Sequence, residues 1–155
     1  MARLPPLFTI GYEKTALGDV LRTLKQAKVE LLIDTRAVAA SRRAGFSKSM
    51  LAASLEEQGI KYLHLQKLGT PAEGREAARA GDFKTLWRIY GKHIKTKAAR
   101  EKLDELESLL RQGRRICLLC YERDPDECHR SRIAELIHER TGQKIENLFA
   151  SPLGI

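Results

Sequence analysis

A carboxylate, a thiol, an imidazole and a guanidinium crowd one short stretch of the chain: Glu122, then Cys128-His129-Arg130. The apolar run Ile116-Cys117-Leu118-Leu119-Cys120 leads into it and an amphipathic segment leads away. A strand that turns into a helix presents unpaired N–H groups and the positive end of a dipole, which favours anions. A second charged pair, Asp34 and Arg36, follows the apolar run Leu31-Leu32-Ile33. Residues two apart at a strand end can point to the same side. In a working site Arg36 would hold an anionic group while Asp34 accepts a proton or orients water. In a structural reading the two form an ion pair that pins the loop. Glu122 is the second carboxylate, able to divide acid and base roles with Asp34 or to share a divalent cation with substrate phosphates. Otherwise it is a cap or a salt-bridge partner.

Cys128 has two readings. Asp124-Pro125-Asp126-Glu127 carries the signs of a helix start, with Asp124 as N-cap and Pro125 at the first position. Cys128 would then point away from the face defined by Ile133, Leu136 and Ile137. If the helix starts at Cys128 instead, the thiol sits in the first turn, where its pKa falls and it becomes a candidate nucleophile. The usual anion loop, with an arginine after five intervening residues, is missing downstream. Cys117 and Cys120, three apart on a strand, face opposite sides, so no tetrahedral metal site is assigned.

Two basic features could bind anions as well. Ser41-Arg42-Arg43, followed by Gly45, is suited to clamp a phosphate in the loop after Asp34. Lys92, Lys95 and Lys97 belong to a longer run from Lys84 to Lys102 interleaved with Trp87, Tyr90 and His93. Such a run fits single-stranded or flipped nucleic acid, unless its aromatics pack a helix onto the core and its lysines are only solvated. The net charge of +8 favours polyanionic or phosphorylated partners. No Walker loop, G-x-G-x-x-G or H-E-x-x-H motif occurs.

The elements that must hold these residues alternate. Strands are expected at Phe8–Ile10, Leu31–Ile33, Ile60–Leu65, 115–120 and Ile145–Leu148. Between them come a helix capped by Thr15, one capped by Ser47 and stopped by Gly59, a less regular stretch at 66–97 expected to be a loop with short helices, a long helix ended by Gly113, and one near 128–140. The pattern predicts a single three-layer α/β domain over residues 1–155, with a mainly parallel sheet of about five strands and helices on both faces. Right-handed crossovers put Tyr12, Glu13, Asp34, Arg36 and Glu122 on one sheet edge. No apolar run approaches the ~20 residues of a membrane helix, and the odd count of 3 cysteines argues against a disulfide framework. A cytoplasmic protein with no membrane partner is expected.

Thr9-Ile10-Gly11-Tyr12, Asp34-Thr35-Arg36 with Ser41-Arg42 and Phe46, Tyr62 with Leu68-Gly69, and Leu119-Cys120-Tyr121-Glu122 before Cys128-His129-Arg130 occur in that order. Together they resemble the domain-of-unknown-function 488 (DUF488) family, over roughly residues 8–148. That family usually has His-Ser where this chain has Tyr12-Glu13, and a proline where it has Ala39-Ala40. The resemblance implies a compact α/β domain with a strand-end site.

These readings lead to three functional expectations. The first is an enzyme acting on a nucleotide, nucleobase or nucleic acid. Asp34 and Glu122 would do acid/base or metal-water chemistry, and Tyr12, Arg36, Ser41, Arg42, His129 and Arg130 would bind the anionic substrate. The second is a non-catalytic nucleic-acid-binding module using Lys92, Lys95 and Lys97. The third is a phosphatase- or sulfurtransferase-like enzyme with Cys128 as nucleophile.

Overall fold

Apolar residues alternate between two cores on opposite faces of one sheet. The computed structural model describes residues 3–152, and within them five strands pair in the order β3-β2-β4-β1-β5, every pair parallel. The strands are β1 Leu7–Gly11, β2 Leu31–Asp34, β3 Lys61–His64, β4 Ile116–Cys120 and β5 Ile145–Leu148. The central strands β1, β2 and β4 are buried along their whole length, which is why they read as continuous apolar runs. The edge strands β3 and β5 carry the more polar sequences.

Helices α1 Leu17–Gln26 and α2 Lys48–Glu57 cover one face. Val20, Leu24, Leu51 and Leu55 pack there on Phe8, Ile10, Leu32, Cys117 and Leu119. Helices α4 Phe83–His93, α5 Lys97–Arg111 and α6 His129–Thr141 cover the other. Tyr90, Leu103, Leu106, Ile133 and Ile137 meet Leu7, Ile33, Ile116 and Leu118 on that side. The predicted three-layer α/β architecture is the observed one. A further helix, α3 Ala72–Arg79, lies on α4 through Gly74, where an added Cβ would stand 2.5 Å from the Thr70 methyl.

Local differences have local causes. Ala16 rather than Thr15 is the N-cap of α1, because the Thr15 hydroxyl donates back to the Tyr12 carbonyl. Ser47 caps α2 by position, but its hydroxyl binds the backbone of Ser41 instead of the helix. Residues 66–97, expected to be a loop with short helices, hold α3 and α4 besides a short 3₁₀ turn at Gln66–Leu68, with α4 running for 11 residues. The two readings of the α6 start are both partly realised. Asp124 caps a separate 3₁₀ turn, Pro125–Glu127, and the chain then extends at Cys128, the N-cap of α6. Gly59 and Gly142 follow their helices at φ 75° and 73°, the left-handed conformation that ends a helix without Cβ strain.

Strand order decides where a site can form. β1 and β2 hand the chain to α1 and α2 on one face, while β4, lying between them, hands it to α6 on the other. Loops leaving adjacent strand ends in opposite directions open a crevice at the C-terminal edge.

Candidate functional site

That crevice is a pocket of about 590 Å³. Its walls come from the ends of all three central strands: Tyr12 and Glu13 after β1, Arg36 to Arg42 after β2, and Cys120, Tyr121 and Glu122 at β4. Thr70, Arg75, Arg79 and Phe83, from the α3–α4 region, close the side. The loops approach too closely for side chains at two glycines. A Cβ on Gly11 would lie 1.8 Å from the Glu122 carbonyl oxygen, and one on Gly69 2.2 Å from the Ala37 nitrogen. Both approaches fix loop against loop beneath the pocket.

Asp34 is wholly buried and all its acceptor capacity is in use. One oxygen accepts from the Arg36 backbone N–H and Nε at 3.0 and 2.9 Å, the other from Arg36 Nη2 and the Tyr62 hydroxyl at 2.7 and 2.5 Å. Arg36 directs Nη1 to the Phe46 carbonyl at 2.7 Å and to the Tyr12 hydroxyl at 3.1 Å. Burial pulls the Arg36 guanidinium down, but the hydrogen bonds and charge of Asp34 outweigh it and hold it above its ordinary range. Burial and the bond to Asp34 push the Tyr62 phenol up. A divalent cation shared by Asp34 and Glu122 would have to displace Arg36 or Tyr62. Tyr12 stacks on Phe46 with ring centroids 4.5 Å apart and meets Tyr121 edge-on, making an aromatic wall.

The hydrogen bonds around buried His129 assign its tautomer. The Thr35 hydroxyl donates to the Leu119 carbonyl at 2.8 Å, so it has no proton for the ring. His129 Nε2, 2.8 Å from the Thr35 carbonyl, therefore carries the ring proton and donates it there. Nδ1 is the bare acceptor, and the Thr70 hydroxyl donates to it at 2.9 Å. Burial drives this imidazole down to about 4, against the opposing pull of its bond to Thr35, so it is neutral at neutral pH. His129 thus offers the pocket wall a base already engaged with a hydroxyl, not a cation.

Glu122 is the pocket carboxyl whose proton affinity is shifted. Burial raises it above the ordinary range, with the nearby Arg130 charge only partly opposing. Beside it, and despite the odd cysteine count, the sulfurs of Cys120 and Cys128 are in bonding contact, with Cα atoms 7.1 Å apart. Cys117 is free and buried on the other face of β4, its thiol pushed up by burial. Cys120, Cys128 and His129 place their ligand atoms within 4.8 Å of one another. With the two sulfurs bonded to each other and Nδ1 accepting from Thr70, the trio offers a metal no thiolate and no free ring nitrogen in this state.

The expected site residues separate into three groups. Tyr12, Arg36, Ser41, Arg42, Glu122 and His129 line the pocket. Asp34, Cys128 and Arg130 lie behind its wall: Asp34 under Arg36, Cys128 against Cys120, Arg130 against the backbone of 122 and 123. Lys92, Lys95 and Lys97 are exposed at the α4–α5 corner and do not line the pocket. The Trp87 aromatic packs against the core, with the Arg132 guanidinium 4.4 Å over its ring. Sequence reasoning missed Thr35, Thr70, Arg75, Arg79 and Phe83. The tripeptide Gly69-Thr70-Pro71 was the available signal for Thr70, because glycine and proline flank a residue whose backbone is held tightly.

Neither a curated protein nor a solved structure matches the chain. The family model described as "Domain of unknown function DUF488" matches residues 16–137, which takes in the Asp34-Thr35-Arg36 and Cys128-His129-Arg130 motifs but not Thr9-Ile10-Gly11-Tyr12. With most of its length matched, and with every matched motif ending at the same sheet edge, this chain belongs to the DUF488 family.

Proposed function

We propose that this protein is an enzyme acting on a nucleotide or another phosphorylated molecule of similar size in the strand-edge pocket. The observation that carries the reading is a set of arginines outside any salt bridge around a nucleotide-sized space, which Glu13, Glu122 and Glu127 also line. Arg42, Arg75 and Arg79 line the pocket, and none takes part in a salt bridge among the described residues. Arg75 is aimed by its Nη1 bond to the Thr70 carbonyl at 2.8 Å. The aromatic faces of Tyr12, Tyr121 and Phe83 suit a base or another flat group. Glu122, whose carboxyl burial holds above its ordinary range, is the acid/base group, while Asp34 orients Arg36. Nucleic acid would enter such a pocket as one extruded nucleotide.

A panel of nucleoside mono-, di- and triphosphates with inorganic phosphate, titrated calorimetrically, tests the reading. Saturable binding that Arg42→Ala and Arg75→Ala each weaken, and turnover that Glu122→Gln lowers by about a hundredfold or more, is the expected result. Binding unaffected by both arginine changes would overturn it.

One observation favours a second reading, a nucleic-acid-binding face. Lys92, Lys95 and Lys97 are exposed and make no salt bridge among the described residues. Neutralising all three would then flatten the salt dependence of DNA or RNA binding, the log–log slope falling by roughly one for each phosphate no longer neutralised.

A further inference from the structure

Arg130 is a fully buried guanidinium for which no carboxylate partner occurs among the described residues. Its Nη1 donates to the Cys120 sulfur at 3.1 Å and to the Glu122 carbonyl, and its Nη2 to the Arg123 carbonyl at 3.1 Å. Its Nε has no partner among the described residues. The acceptors it bonds are neutral, and the Glu122 carboxylate, 3.7 Å from the Cys120 sulfur, reaches Arg130 only as a more distant charge; an anion at the sulfur position would offset the guanidinium's lost hydration. A Cys120 thiolate is such an anion. Cys128 is placed to answer it. As the extended N-cap of α6 it makes no capping bond, and its sulfur turns to Cys120 rather than to the helix N–H groups. The neutral His129 ring lies beside it, with Nδ1 3.9 Å from the Cys128 sulfur.

We propose that Cys120 and Cys128 form a dithiol–disulfide centre that reduces small hydroperoxides, with Cys120 as the attacking thiolate, Arg130 as its counter-charge and Cys128 as the resolving thiol. In the first step the Cys120 sulfur bonds to the terminal peroxide oxygen and the O–O bond breaks. The departing hydroxide or alkoxide takes up the proton that Cys120 released to solvent on ionising, leaving a sulfenic acid and water or an alcohol. In the second step the Cys128 sulfur bonds to the Cys120 sulfur and the S–O bond breaks, and hydroxide leaves with the Cys128 proton as water. Two thiols are oxidised to one disulfide and one hydroperoxide is reduced; a small-molecule dithiol, able to enter the pocket as the peroxide does, restores the pair by exchange. Cys120 borders the pocket but is itself 0% exposed, which selects a small oxidant over a bulky disulfide. The centre is independent of the phosphate reading, since none of Arg42, Arg75 and Arg79 takes part.

The test uses the full chain, reduced, freed of reductant and mixed with one equivalent of hydrogen peroxide. Thiols are then counted after denaturation, and the disulfide is mapped by digestion and mass spectrometry. The expected result is loss of two of the three thiols, a Cys120–Cys128 link, and Cys117 left free. Cys128→Ser should halt at a dimedone-reactive sulfenic acid on Cys120, Cys120→Ser should slow peroxide consumption about tenfold or more, and Cys117→Ser should change nothing. Arg130→Lys should raise the pH midpoint of Cys120 alkylation in Cys128→Ser protein. If Arg130→Lys does not fold, the wild-type rate decides, since a Cys120 no faster with peroxide than free cysteine overturns the proposal. So would three thiols remaining, or oxidation landing on Cys117.

Discussion

Arg36 grips both carboxylate oxygens of Asp34, through Nη2 at 2.7 Å and Nε at 2.9 Å, from two residues further along the same chain. The fork turns β2 sharply into the pocket loop. His64 Nε2 then meets the Arg36 carbonyl at 2.6 Å and Gln66 reaches the Ala37 carbonyl at 3.0 Å, so β3 holds the loop in place. The pair is therefore scaffold before it is chemistry. Asp34→Ala would leave a buried guanidinium without its counter-charge and should lower stability by about 3–5 kcal/mol. Urea denaturation checks this. Tyr62→Phe, which removes one hydrogen bond to the same carboxylate, should lose less, about 1.5–3 kcal/mol.

His129 makes stability depend on pH in a known direction. Its folded pKa is depressed to about 4 from the ordinary 6.5, so the unfolded chain binds the proton first as pH falls. Its contribution is fully present above pH 6.5, is lost between that value and about 4, and is flat below. The loss should be on the order of 3 kcal/mol. Chemical denaturation at several pH values across this window should show the slope, and His129→Gln should flatten it.

Gly11 and Gly69 are steric keystones of the pocket floor. Gly11→Ala drives a methyl into the Glu122 carbonyl and Gly69→Ala drives one into the Ala37 backbone. Neither obstacle is the flexible end of a side chain, so the loops must separate. Each change should destabilise by about 2 kcal/mol or more and weaken pocket ligands. Gly18→Ala, where an added Cβ meets nothing within 4 Å, is the control, and thermal unfolding of all three checks the contrast.

Glu122 should appear in the pH profile of whatever turnover the pocket supports. Burial raises its carboxyl above 4.5, so a limb in kcat/KM is expected above that value. Glu122→Gln should abolish that limb while leaving thermal stability nearly unchanged. A limb that survives the substitution would transfer the acid/base role to another group.

The α/β class, the five strand positions and the edge bearing Tyr12, Arg36 and Glu122 were all legible in the sequence. Buried parallel strands demand continuous apolar runs, and right-handed crossovers send their C-terminal ends to one edge. Residues 120–130 also stood out, because polar types packed after a buried strand have few purely structural explanations. The tertiary fold alone decided which of them face the pocket. Asp34 and Glu122 both follow strands, yet Asp34 turns under Arg36 while Glu122 lines the cavity. Thr70 and Arg75 reach the site from α3 and the turn before it, across a sequence distance that no local pattern spans. The meeting of Cys120 with Cys128 depends on the extended backbone at Cys128 between a 3₁₀ turn and α6. Spacing determines which side of one element a residue occupies, whereas the meeting of separate elements follows from strand order and close backbone approach, which are set by packing of the whole chain.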